Sequence, residues 1–289
     1  MRIWPQCIPC IYAARARELL SSQLPNDELV YYLAALAKHL SVSNPFSSTI
    51  RLATETYRFV KRAMHNVDPY LNYKIESNKW VVNNLIPLLE KRIRSLSNYE
   101  RFKEILTATI AANAIDPGVP GYENLRIDLS VELGRDESLK AYKLISRARK
   151  VAYILDNAGE AVIDLEVVKL LSSMGIEVYV MAKTFPYQND ITVNETLALG
   201  FDKFARVVGT GSDAAGPIPG ELSNEALTVL NNVDVIIAKG MAVFESFEEW
   251  QPPTTVVHAL RAKCLPVASS VDVQVNEGVI AIRDTRTTK

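Results

Sequence analysis

The sequence predicts an α/β protein in two parts: an all-helical domain over residues 1–147, then a Rossmann-like, doubly wound, mostly parallel sheet over residues 148–289. Three observations predict it. Up to about residue 147 the apolar residues recur at helical spacing. Beyond it, short β-rich apolar runs alternate with helical patterns, as a parallel sheet with crossover helices requires. Acids, amides, glycines and a lysine follow the first four of those runs, and strands joined through helices carry such residues to one common edge.

Taken in order, helices are expected near 8–23, 26–41, 47–66, 75–96, 98–114 and 136–147. Leu29, Leu33, Leu36 and Leu40 make a buried stripe on the second, and Asn26, Asp27 and Glu28 place favourable charge at its start. Ser47 is expected to cap the third helix, and Pro69 and Pro117 punctuate the breaks. Strands are expected at 151–155, 176–181, 205–208, 234–238, 255–260 and 279–282, with helices near 159–174, 191–200, 222–232 and 244–249 between them.

Composition narrows the function. The 289 residues are 48% hydrophobic, enough for a sizeable core, and the formal net charge of -1 gives no field to recruit nucleic acid or an acidic membrane. There is no run of 18 apolar residues and no signal-like h-region after Met1, so a soluble, cytoplasmic protein is expected. Cys7, Cys10 and Cys264 are too few for a disulfide scaffold.

The most informative stretch is Val151-Ala-Tyr-Ile-Leu-Asp156-Asn157-Ala-Gly159-Glu160. Asp156 and Asn157 arrive together at a strand's carboxyl end and offer oxygen ligands to a hard divalent cation. The helix beginning at Gly159 has unpaired N–H groups suited to phosphate, although capping alone also explains an Asp or Asn there. The second strand leads to Asn189, Asp190 and Thr192, the third to Gly211, Ser212 and Asp213, and the fourth to Lys239 and Gly240. Carboxylates for a cation, with lysine and backbone N–H groups for phosphate, are the parts of a metal-assisted phosphoryl site. Asp68, Asn113 and Asp116, at turns and helix ends of the first half, are candidates to contact a substrate, with turn formation as the alternative. Cys7-Ile-Pro-Cys10 sets two thiols one helical turn apart near a helix start, where thiolates are favoured. With Cys264, and one of His39, His65 or His258, they could form a second metal site or a redox pair; buried, inert cysteines are the alternative.

The chain resembles the DUF89 family, the metal-dependent damage-control phosphatases, in the archaeal-type branch with an N-terminal C-x-x-C. The resemblance rests on Cys7-x-x-Cys10, Asp68-Pro-Tyr70, Asn113-x-x-Asp116, Asp156-Asn-Ala-Gly-Glu160, Asn189-Asp-x-Thr192, Gly211-Ser-Asp213, Lys239-Gly-Met-Ala-x-Phe-Glu245 and Lys263-Cys-x-Pro-Val-Ala268. It implies hydrolysis of small phosphate monoesters, sugar phosphates among them, with Mg, Mn, Co or Ni as the divalent cation. It further implies Asp156, Asn157 and Asp190 as metal ligands, Asp156 and Lys239 as the catalytic pair, and Lys239 on the phosphate. Asp68, Asn113, Asp116, Gly159, Glu160, Ser212, Asp213, Gly240 and Glu245 are then expected around the substrate. Ala112 stands where the family usually has glycine, and Val243 where it often has Asn, changes that bear on substrate contacts rather than on the metal. A small phosphorylated metabolite is the expected partner, with no nucleic acid and no membrane. A non-catalytic phosphometabolite sensor, and a zinc or redox protein built on the three cysteines, are the competing readings.

Overall fold

The computed structural model describes residues 1–42, 48–113 and 129–284. Six helices come first: α1 (Cys7–Leu20), α2 (Asn26–Val42), α3 (Thr49–Ala63), α4 (Leu71–Asn84), α5 (Ile86–Ile93) and α6 (Asn98–Ala112). Then follow β1 (Leu133–Asp136), α7 (Ser138–Ile145), β2 (Lys150–Ile154), α8 (Glu160–Ser173), β3 (Glu177–Ala182), α9 (Val193–Ala198) and β4 (Arg206–Gly209). The chain continues through α10 (Asn224–Asn232), β5 (Val235–Lys239), α11 (Gly240–Phe247), β6 (Thr255–Arg261), α12 (Leu265–Val271) and β7 (Gly278–Arg283). The cap of α3 is Ser48, whose Oγ accepts the Arg51 N–H at 3.2 Å; the expected Ser47 lies outside the described residues.

The seven strands form one sheet in the order β1-β7-β6-β5-β2-β3-β4. Pairing is parallel except between β6 and β7, so β7 and its parallel neighbour β1 run against the other five strands. From β2 the chain winds outward through β3 to β4, then returns to place β5 on the other side of β2. That reversal opens a crevice beyond the carboxyl ends of β2 and β5, the place where open α/β sheets bind ligands.

Alternation along β2 shows why the sheet is covered on both faces. Val151 and Tyr153 point into one apolar layer with α4–α6 and α8, while Ala152 and Ile154 point into another with α10 and α11. Helices α1–α3 hold a smaller core of their own, in which Leu36 and Leu40 of the expected stripe are buried and Leu29 and Leu33 partly so.

One stretch departs from the expected helical half. Strand β1 lies before residue 148, pairs with β7, and is followed by α7 packed on the same core. Its four residues, Leu133-Gly-Arg-Asp136, include two charges that suit an edge strand, and too few apolar positions to announce one.

Candidate active site

Asp156 follows β2 by two residues and Asn157 comes next. The loop after β3 is stitched to them by an antiparallel bridge between Asn157 and Asp190. Ala158 N–H donates to the Asn189 carbonyl and Ile191 N–H to the Asp156 carbonyl, both at 2.9 Å. Helix α9 is closed by Thr192, whose N–H and hydroxyl both donate to the Glu195 carboxylate, at 2.7 and 2.9 Å. Capping is therefore done by Thr192, and Asp190 is left to face the crevice. Gln188, just before, holds a left-handed backbone (φ 42), a conformation uncommon outside glycine and often found beside functional sites.

The crevice is a cavity of about 130 Å³. Asn113, Asp156, Asn157, Gln188, Asn189, Asp190, Glu245 and Lys263 give it its polar lining, and Ile50, Ala53, Tyr187, Met241 and Ala242 are among its less polar walls. The expected metal ligands thus meet in one place, with Asn113 and Glu245 beside them. Lys263, 6% exposed in the turn after β6, stands out in the sequence only as part of a motif, yet it is the lysine that lines this cavity.

Hydrogen bonds fix the acids and amides. Asn113, at the end of α6, donates from Nδ2 to Asp156 Oδ2 at 2.7 Å and also to Glu160. Asn157 Nδ2 donates to the same Asp156 oxygen at 3.0 Å, and Asn189 Nδ2 donates to Asn157 Oδ1 at 2.8 Å. Lys183 pairs with Asp190 at 3.2 Å and donates to the carbonyls of Ala214 and Ala215. Gln188 is held from the helical side: its Nε2 donates to Glu18 at 2.8 Å, and Glu18 in turn pairs with the buried Arg15 at 2.9 Å.

Several expected contacts are corrected. Lys239 is 1% exposed, and its ammonium rests on Glu160 at 2.7 Å and Asp164 at 3.1 Å, beneath the cavity rather than in it. Burial works against its charge, but Asp164 and Glu160 more than offset this and hold its pKa above the ordinary value. Glu160 is fully buried and serves Lys239, Asn113 and Asn157, so it braces the site without reaching a substrate. Gly159 turns its N–H to Asn78 Oδ1 at 2.6 Å, so that donor is used by α4 and not by phosphate. Gly240 has φ 78, and a Cβ there would collide with the Asp156 carboxylate; its role is to let that carboxylate in.

Asp68 does not line the cavity either. It pairs at 2.8 Å with the fully buried Lys74, which also meets Glu195 at 2.6 Å and so ties α4 to α9. Ser212 and Asp213 clamp α3: Asp213 pairs with Arg58 at 2.6 Å and Lys61 at 2.7 Å, and the Ser212 hydroxyl donates to Glu221 at 2.6 Å. Asp116 lies outside the described residues.

The cysteines are near one another without forming a site. Cys264 feels the charges of Cys7, Cys10 and Glu245. All three thiols are free, and among the described residues no three His, Cys, Asp or Glu gather as a metal-holding group. Burial pushes the Cys7 thiol up, and Cys264 up to about 12, so neither is the thiolate that a helix start would favour. His258 sits edge-on to Phe244 and Phe247 within β6, an apolar setting rather than a ligand shell.

The Glu245 carboxyl is pushed up to about 7, chiefly by burial, with the N-terminal amine opposing and Glu249 reinforcing the shift. A carboxyl with a raised pKa in a small polar cavity is a functional-site candidate.

Comparison with known proteins gives the family. An uncharacterized protein of Methanocaldococcus jannaschii is 31% identical over 98% of this chain and 96% of its own. Damage-control phosphatases of Pyrococcus horikoshii and Archaeoglobus fulgidus are 27% and 29% identical over 94% and 98% of this chain, and over 95% and 99% of their own lengths. The crystal structure of a DUF89 family protein from Pyrococcus horikoshii superposes with a TM-score of 0.84, at 24% identity, covering 97% of this chain and 98% of that one. The model of the damage-control phosphatase ARMT1-like domain matches residues 3–279, and the chain belongs to that family.

Proposed function

We propose that the protein is a divalent-cation-dependent phosphatase acting on small phosphate monoesters such as sugar phosphates. The observation that supports this most is the meeting of Asp156, Asn157 and Asp190 with Lys263 around one cavity. The donor set fits a hard cation: two carboxylates and amide oxygens, with no sulfur or imidazole among these polar groups. The buried Asn113 Oδ1 has no hydrogen-bond partner among the described residues and adds a further oxygen acceptor at the same wall. Magnesium or manganese suits such oxygens best, with cobalt and nickel as alternatives.

In this reading Asp156, Asn157 and Asp190 hold the cation, which when bound supplies Lewis-acid polarisation and charge neutralisation at the phosphoryl group. Lys263 takes the phosphate contact expected of Lys239, because its side chain belongs to the cavity lining. Gln188 and Glu245 face the organic part of the substrate. A cavity of about 130 Å³ suits a phosphoryl group and the adjoining part of a small metabolite.

The test is phosphate release from a panel of sugar phosphates and an aryl phosphate with Mg, Mn, Co or Ni present. Asp156→Ala, Asn157→Ala and Asp190→Ala should each abolish release and weaken cation binding while thermal unfolding stays cooperative. Undiminished turnover by Asp156→Ala would sink the assignment, and tight substrate binding without turnover by the wild type would favour the sensor.

A further inference from the structure

An asparagine can serve a cation only through its amide oxygen, and its two ends are almost the same shape. Something must therefore decide which end faces the cavity. Around Asn113 that decision is made by groups that can only accept, and around Asn157 by the same groups together with Asn189, whose Nδ2 donates to Asn157 Oδ1 at 2.8 Å. Ionised carboxylates have no proton to give, so an amide packed against one presents its NH₂. Asp156 Oδ2 receives Nδ2 of both asparagines, at 2.7 and 3.0 Å, and Glu160 Oε2 receives them from behind.

Glu160 is in turn held in place by Lys239, whose ammonium takes its other oxygen at 2.7 Å. Behind Lys239 stands Asp164, 3.1 Å away and bonded at 2.5 Å by the Tyr153 hydroxyl. All of these groups are buried to within about one per cent of full burial, so water cannot substitute for any of them. A set of four buried polar groups under the cavity floor is costly unless every partner is satisfied.

We infer that Glu160, held by Lys239, acts as a positioning residue that sets the orientation of the Asn113 and Asn157 amides, turning their oxygens toward the cation. This rests on the phosphatase reading for the identity of the cation, but it concerns a contact that no ligand makes. It also accounts for the lone Asn113 Oδ1: with its NH₂ taken twice, the buried oxygen is left facing the cavity wall without a partner among the described residues.

Glu160→Gln is the informative change. An ammonium repels an NH₂ group, so the introduced amide would give its oxygen to Lys239 and its NH₂ to the two asparagines. Their NH₂ groups would then face a donor on one side while Asp156 still accepts from them on the other, so the amide oxygens would no longer be held firmly toward the cation. Asp164 still neutralises Lys239 in this variant, which favours folding. Manganese affinity, measured by calorimetry on the full chain, should fall about 10- to 100-fold, the usual scale for groups that orient metal ligands.

Asp164→Asn is the control, since it removes an equally buried negative charge that does not touch either amide. Its manganese affinity should stay within about threefold of the wild type. Equal affinities for the wild type and Glu160→Gln would overturn the inference, and so would an equal loss in Asp164→Asn, which would make the effect one of charge. A wild type that binds no manganese would overturn the phosphatase reading first and this with it. Should Glu160→Gln not fold, side-chain amide NMR on the wild type decides. With magnesium added, the NH₂ protons of Asn113 and Asn157 should exchange slowly while their carbonyl carbons shift. Fast exchange of those protons would overturn the proposal.

Discussion

Asn113 and Asp156 are joined by a 2.7 Å hydrogen bond across 43 positions of sequence, between the last turn of α6 and the end of β2. The helical half thus reaches the floor of the cavity through an amide that holds a carboxylate, in addition to roofing it.

Removing that amide should act on the carboxylate and only secondarily on substrate choice. Asn113→Ala is expected to lower turnover of sugar phosphates and of a featureless aryl phosphate by similar factors. The lost bond to a charged acceptor amounts to about 1.5–3 kcal/mol, or roughly 10- to 150-fold. A loss confined to sugar phosphates, in parallel kcat/KM measurements, would return Asn113 to the role of a hydroxyl reader.

The two lysines should separate cleanly. Lys263→Met is expected to raise KM for phosphate esters about tenfold or more, with a smaller loss of stability than Lys239→Met, because Lys263 lines the cavity. Lys239→Met should instead destabilise the fold by roughly 3–5 kcal/mol, the scale for stripping one partner from a buried ion pair. Denaturant titrations beside steady-state kinetics distinguish them. Normal stability in Lys239→Met would disprove its assigned place in the floor.

Acid sensitivity should trace in part to His258. Burial between phenylalanine rings lowers its pKa to about 3, against an ordinary value of 6.5. Its neutral form therefore favours the fold above pH 6.5, and that contribution is lost as pH falls toward 3, where the unfolded chain takes a proton that the folded chain refuses. His258→Phe should flatten the fall of unfolding temperature between about pH 6.5 and 4, measured at constant ionic strength. An unchanged slope would place the acid sensitivity elsewhere.

The sheet and most helices were legible because their signal is periodic burial. Strands β2 to β7 follow from apolar runs, and the proposed metal ligands from the acids and amides that follow β2 and β3. Roles within the site were less legible. Asp156 and Lys239 look equally available at the ends of β2 and β5, but which one meets the cavity depends on what packs behind it. Lys239 meets Glu160 and Asp164, partners on α8 that only the fold brings within 3.1 Å. Lys263 could have been found had the end of β6 been weighed as the first four strand ends were. Ser212 and Asp213 misled for a related reason. A small-residue loop with hydroxyl and acid serves an ion clamp on α3 as readily as a ligand, and local sequence carries no sign of Arg58 or Lys61.

The reversal between β2 and β5 has a kinetic consequence. Asn113, Asp156, Asp190, Glu245 and Lys263 come from five separated segments, so no short fragment of the chain contains the whole cavity. A cation bound there, as the proposed function requires, would favour the finished structure and would lend it stability by mass action, about 2.7 kcal/mol at a hundred times its dissociation constant. Where proteolysis requires such global opening, chelation would raise the cleavage rate by up to about a hundredfold in α6, in β2 and in the turn after β6 together. The site is in this sense a latch on the whole molecule, open everywhere or nowhere.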